Sequence, residues 1–177
     1  MAWLTEHQIT EMGFASFGKN VMLSDKASYY NCKNIRLGSN VRIGDFCVLS
    51  AGVGGIDIGS YIHIAVYSSL IGAGNISLAD FSGLSSRVAI YSSNDDYSGR
   101  ALTNPTVPTE FTNLKHADVK IGRHAIIGSG LNYFARCDLR RRRRCGRIKL
   151  SKKRLSSLWY LYRFARKTYR RKKTGFT

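Results

Sequence analysis

The chain has 177 residues, with 28 Lys and Arg against 11 Asp and Glu and a formal charge of +17. That length suits one domain with a real core, and no run comes near the roughly 18 apolar residues of a membrane span. No basic-then-apolar leader opens the sequence, and Cys32, Cys47, Cys137 and Cys145 form neither a CxxC nor a zinc spacing. The cysteines therefore read as buried free thiols of a cytoplasmic protein, and no metal is expected.

The charge is confined to one end. Residues 1–130 hold ten Lys/Arg and ten Asp/Glu, whereas 131–177 hold eighteen Lys/Arg and one acid, Asp138. Two compositions meet near residue 130, and three segments follow in chain order: a cap over 1–16, a repeat over 17–130 and a basic tail over 131–177.

In the cap, Thr5 and Gln8 have the spacing of a capping box, which predicts a short helix ending near Gly13. Its role would be to cover the open first turn of the repeat, as solenoid ends require.

From Phe17 onward an apolar residue recurs every six positions: Phe17, Leu23, Tyr29, then Leu37, Ile43, Leu49, then Ile58, Ile64, Leu70, then Leu78, Leu84, Ile90, and finally Ile121 and Ile127. Corresponding members of successive triplets lie 20 or 21 residues apart. Period six matches neither an uninterrupted strand nor a 3.6-residue helix. It matches a short strand plus a corner, three to each turn of a triangular prism whose stacked turns share one core. Glycine often follows the apolar residue (Gly38, Gly44, Gly59, Gly122, Gly128), and glycine or Asn/Asp is expected to relieve the tight bends. The fold class predicted is an all-β solenoid. "GVGG" and "GAGN" lack the spacing of a dinucleotide site and read as corners, and no GxSxG elbow is present.

The stretches "FGKNVMLS", "IRLGSNVRIGDFCVLS" and "VKIGRHAIIGSG" resemble the hexapeptide-repeat acyltransferases, and "DDYSG…TNPTVP" resembles those acting as O-acetyltransferases in bacterial surface-polysaccharide pathways. The resemblance covers most of 17–130 and implies a left-handed parallel β-helix. It also implies a homotrimer with its clefts between subunits and a cytoplasmic enzyme using acetyl-CoA as co-substrate. The acceptor would be a sugar or nucleotide sugar, of a lipopolysaccharide or similar pathway. An N-acyltransferase on an amino sugar differs only in its acceptor.

Between Ile90 and Ile121 the repeat halts for a protruding loop, 91–118, long enough to suggest function. It carries Asp95, Asp96, Tyr97 and Asn104, read as substrate-binding, and His116. Acyl transfer needs a base and oxyanion donors, and histidine suits the base. His63, in "YIHIAVYSSLIG", matches the first histidine of the family's HIAHD-type segment, while Val66 replaces the second. His63 and His116 are the candidate catalytic residues. Arg123, Gly128 and Ser129 are the candidates for binding the coenzyme, whose pantetheine arm runs along the C-terminal coils in resembling enzymes.

The tail, with Arg140 to Arg144 consecutive and aromatics interleaved, would suit RNA or an anionic membrane. That is the alternative function, a non-catalytic scaffold with a polyanion-binding tail. Yet shifting the back-translated tail by one nucleotide can yield ILPGV, VAVGALSLV and GSPAK in the order found in the resembling family. The tail is accordingly read as out of frame and the chain as a truncated or defective copy, with nucleic acid not expected as a partner.

Overall fold

The computed structural model describes residues 2–134; the tail from 135 on, with its arginine run and the frame-slip reading, lies outside the described residues. Helix α1 (Glu6–Glu11) is capped by Thr5, whose side chain accepts from the Gln8 N–H while Gln8 accepts from the Thr5 N–H. Ile9 points into the core beneath it.

The rod then winds through five rungs. The first is β1 (Ser16–Phe17), β2 (Met22–Leu23) and β3 (Ser28–Tyr30); the second is β4 (Ile35–Leu37), β5 (Val41–Ile43) and β6 (Val48–Ala51). The third is β7 (Ile56–Ile58), β8 (Ile62–Ile64) and β9 (Ser69–Gly72); the fourth is β10 (Ile76–Leu78), β11 (Gly83–Leu84) and β12 (Ala89–Tyr91). The loop carries a short hairpin, β13 (Ser93–Asn94) and β14 (Lys115–His116), and the last rung is β15 (Val119–Ile121), β16 (Ile126–Ile127) and β17 (Asn132–Phe134). Equivalent strands pair in parallel, so each face is a five-stranded sheet: β1-β4-β7-β10-β15, β2-β5-β8-β11-β16 and β3-β6-β9-β12-β17. The whole is a left-handed parallel β-helix.

Register explains the six-residue period. Leu23, Ile43, Ile64, Leu84 and Ile127 lie opposite one another on the second face and are all buried, as are their counterparts Leu37, Ile58, Leu78 and Ile121 on the first. Each such side chain contributes about 1.5–3 kcal/mol by leaving water. Tyr133, six residues after Ile127, pairs with Ile90 on the third face and packs against the core, so the rod runs four residues into the segment that composition assigns to the tail. Buried Cys32 and Cys47 are free, and burial pushes both thiols up.

The bends differ from expectation. Left-handed backbone at the corner before the second face is taken by Asn20, Asn40, Tyr61, Phe81 and His124, and at the corner after it by Phe46, Tyr67 and Arg87. Each non-glycine residue in that conformation costs roughly 1–2 kcal/mol. Stacking between rungs offsets part of it: Tyr61 lies 4.9 Å from Phe81, Phe81 5.1 Å from His124 and Phe46 5.0 Å from Tyr67. Such a ring pair is worth about 0.5–1.5 kcal/mol.

Gly38 and Gly59, each following an apolar residue, answer a different need. A methyl on Gly38 would stand 2.6 Å from the Gly59 backbone of the next rung. Gly38→Ala should therefore cost about 1–3 kcal/mol of stability, read as a lower urea midpoint with an unchanged slope.

Candidate active site

His63 sits mid-strand on β8 of the second face, where alternation turns it outward between two buried isoleucines, Ile62 and Ile64. Its neighbours across the ladder are Arg42 on β5 and Gly83 on β11. Partial burial, with the Arg42 charge adding to it, holds the imidazole below its ordinary value. Arg42 is itself covered by the Trp3 ring, 5.1 Å from its guanidinium carbon. Sequence reading missed Arg42, although its distance of 21 residues from His63 is one turn of the repeat. Val66 lies in the turn between β8 and β9.

The loop leaves the rod between the third and first faces. At its root His116 and Ser93 oppose each other in the β13–β14 hairpin, with His116 Nδ1 2.8 Å from Ser93 Oγ. The same oxygen accepts from the Ala73 N–H at 2.8 Å, so the serine ties an exposed histidine to the rod. Asp96 is 7% exposed and accepts from the Ser98 N–H at 3.0 Å and from Asn113 Nδ2 at 2.7 Å. The Ser98 hydrogen bonds first, then that from Asn113, with a smaller part from the Lys115 charge, bring its carboxyl down to about 2. Asp96 thus clasps the two ends of the loop together. Asp95 beside it is half-buried and has no hydrogen-bond partner among the described residues. Tyr97 is 77% exposed. Asn104 accepts from the Thr106 N–H and hydroxyl at 3.0 and 2.8 Å, which makes it a turn-former at the loop's far end.

Arg123 pairs with Asp80 at 3.0 Å on the corner before the second face. Gly128 follows β16 on that face, and exposed Ser129 enters the next corner. The candidate residues therefore form separate groups in one chain. Asp95, Asp96, Tyr97 and His116 share the loop root, while His63 and Gly128 belong to the second face, and among the described residues no hydrogen bond, ion pair or ring contact joins the two groups. Among the described residues no group of three His, Cys, Asp or Glu side chains could hold a metal, and no helix is long and apolar enough to cross a membrane.

No protein-family model matches the chain. It is 61% identical over 130 residues, 73% of its length and 68% of the relative's, to a dTDP-4-amino-4,6-dideoxy-D-glucose acyltransferase from Escherichia coli. The chain belongs to the hexapeptide-repeat acyltransferases.

Solved structures of AntD, an N-acyltransferase from Bacillus cereus, superpose with a TM-score of 0.72. The form with dTDP and 3-hydroxybutyryl-CoA is 43% identical over 76% of this chain and 70% of that one. A variant with dTDP-4-amino-4,6-dideoxyglucose and coenzyme A is 42% identical over 75% and 70%. The protein is thus a sugar acyltransferase by family, drawing on a coenzyme A-linked acyl donor.

The clasp is testable in its own right. Asp96→Ala should free the loop, so that limited proteolysis between 97 and 112 speeds several-fold, on the order of the loss of one charge-assisted hydrogen-bond set, while the rod's melting temperature changes little. A loop equally resistant in the variant would remove the clasp role.

Proposed function

We propose that the chain is built to transfer a short acyl group from coenzyme A to the 4-amine of a dTDP-linked 4-amino-4,6-dideoxy sugar. The observation that carries this is the kinship with two enzymes whose names or ligands give that sugar. An amine acceptor replaces the hydroxyl expected from resemblance alone. Acetyl as the acyl group, a homotrimer, a surface-polysaccharide or lipopolysaccharide pathway and a cytoplasmic setting complete the reading. A trimer would set the loop root of one subunit against the second or third face of the next, joining the two groups of residues.

His63 serves as the base. Held below its ordinary value, it is neutral at pH 7 and can take the proton released as the amine nitrogen bonds to the thioester carbonyl carbon. The carbon–sulfur bond then breaks, and the proton passes to the departing coenzyme A thiolate. His116, tethered by Ser93, Asp95 and Tyr97 bind the acceptor from the loop side, and Asn104 shapes the loop that carries them. AntD variants have been solved with a serine replaced and with an aspartate, ten residues further on, replaced. The same spacing separates Ser85 from Asp95 and Ser86 from Asp96, which supports a serine at the end of the second face and an acid of the loop as substrate contacts. Arg123, Gly128 and Ser129 would meet the coenzyme.

His63→Ala should lower kcat about 10²- to 10⁴-fold. In the parent the acid limb of the rate should lie below the ordinary imidazole value of 6.5. Arg42→Met removes a positive charge that disfavours imidazolium, so it should move that limb to higher pH. A limb unmoved by Arg42→Met, or a His63→Ala enzyme of parental rate, would assign the base elsewhere.

The tail reading bears on how much activity the chain shows. The match to the E. coli relative spans as many residues, 130, as precede the change in composition. With the tail as it stands, coenzyme A transfer should be weak. A tail re-coded in the shifted frame should raise it at least about tenfold, the scale on which a missing set of cofactor contacts acts. Equal rates from both chains would leave the frame slip without functional content.

A further inference from the structure

Most glycines of the rod are there because nothing larger fits or because the backbone is left-handed. A methyl on Gly18, Gly38, Gly52, Gly54, Gly59 or Gly74 would stand between 2.4 and 2.8 Å from the neighbouring rung, and Gly13, Gly55, Gly72, Gly99 and Gly130 have positive φ. Besides Gly128, just past β16, Gly83 meets neither condition. Its φ is not positive, and the nearest atom to an added methyl would be the His63 carbonyl oxygen at 3.7 Å, an ordinary contact. Folding does not require glycine here.

The position is also unusual for what surrounds it. Down the outward side of the second face run Met22, Arg42, His63, Gly83 and Ile126, each opposite the next. Four rungs present a side chain in that row and the fourth rung presents none. The result is a notch one side chain wide, with the imidazole of His63 as one wall and Ile126, 42% exposed, as the other. The flanking strands are about 9.5 Å apart, twice the strand spacing. Two residues along the chain, on the same outward side, lies Ser85, whose hydroxyl has no partner among the described residues.

We infer that Gly83 is a specificity-determining position: it opens the notch that receives the amino-dideoxyhexose ring, with the 4-amine facing His63 and the C6 methyl facing Ile126. The inference rests on the acceptor proposed above and goes further by placing it. On that sugar the amine and the methyl-bearing carbon are ring neighbours, so one end of the ring edge is a nucleophile and the other is apolar. The notch offers the same pair of chemistries on its two walls, a proton acceptor and an aliphatic side chain. A side chain at 83 would separate the amine from the imidazole without harming the rod.

The test uses the full chain. Gly83→Ala should keep the parental melting temperature, bind dTDP as the parent does, and bind dTDP-4-amino-4,6-dideoxyglucose at least about tenfold more weakly, the effect of one methylene too many in a fitted pocket. Gly83→Cys gives a second readout. The introduced thiol should react with a maleimide in the free protein and be protected by the dTDP-amino sugar, but not by dTDP alone. Parental affinity in Gly83→Ala, or labelling unchanged at a saturating amino-sugar concentration, overturns the notch and leaves the proposed reaction standing. A thiol unreactive before any ligand is added also overturns it, because a second copy of the chain then fills the gap. A parent chain that binds dTDP but no amino sugar overturns the acceptor assignment as well.

Discussion

The structure depends on one spacing: successive rungs must lie about 4.8 Å apart so that every face keeps its ladder of backbone hydrogen bonds. That single requirement reaches each level of the chain. It favours apolar residues at the inward strand positions, since an unpaired polar group there would be sealed from water; the buried serines Ser24, Ser68 and Ser92 lie outside those positions and are hydrogen-bonded. It demands glycine where two rungs meet backbone to backbone, as at Gly38 and Gly59. At the corners it lets aromatic side chains in left-handed backbone stack from rung to rung, as the column Tyr61, Phe81 and His124 does. Outward positions escape the constraint, and the candidate site residues are found there, at the corners or in the loop.

The loop shows how an insertion is accommodated without breaking the ladder. β12 on one side of it and β15 on the other both keep their parallel partners, β9 and β10. Between them the chain closes on itself through the β13–β14 hairpin, the Ala117 N–H to Ser92 carbonyl bond of 3.0 Å and the Asp96–Asn113 contact. The loop is therefore rooted on two adjacent strand ends, and its root residues Ser93, Ala117 and Asp118 meet the rod while its outer part is freer in composition. This explains how it can concentrate acids and a histidine in a body that is otherwise nearly neutral.

The fold was almost wholly legible in the sequence because the spacing constraint writes itself out every six residues and is repeated often enough to be unmistakable. The capping box at Thr5 and Gln8 was legible for a similar reason, since its geometry is local. The bends were misjudged because positive φ suggests glycine or asparagine, whereas stacking between rungs, invisible in any one rung, let Phe, Tyr and His take most of those places. The site was legible in part. His63 and the loop stood out by residue type, but Arg42 and Ser93 act through partners a turn or more away. Asp96 and Asn104, read as substrate-binding, also hold the loop through hydrogen bonds that the sequence does not announce. Residue type marks where polar groups are concentrated; it does not say whether their lone pairs are already taken.

The N-terminal segment, which sequence reading treats as a lid on the first rung, has a second consequence. Trp3 bridges to Ser24 and the Leu4 N–H bonds to the Leu23 carbonyl at 2.9 Å, so the segment runs beside the second face as well as over the rod's end. From there the indole covers Arg42, and Arg42 stands next to His63. A guanidinium held against an aromatic face is less free to swing away into water, and a cation kept at a fixed place penalises imidazolium more than a mobile one. Trp3, sixty positions earlier in the chain, thus lies two contacts from the candidate base, through one cation–ring contact and one ladder neighbour. The same few residues cover the end of the solenoid and contact the cation that stands beside the histidine.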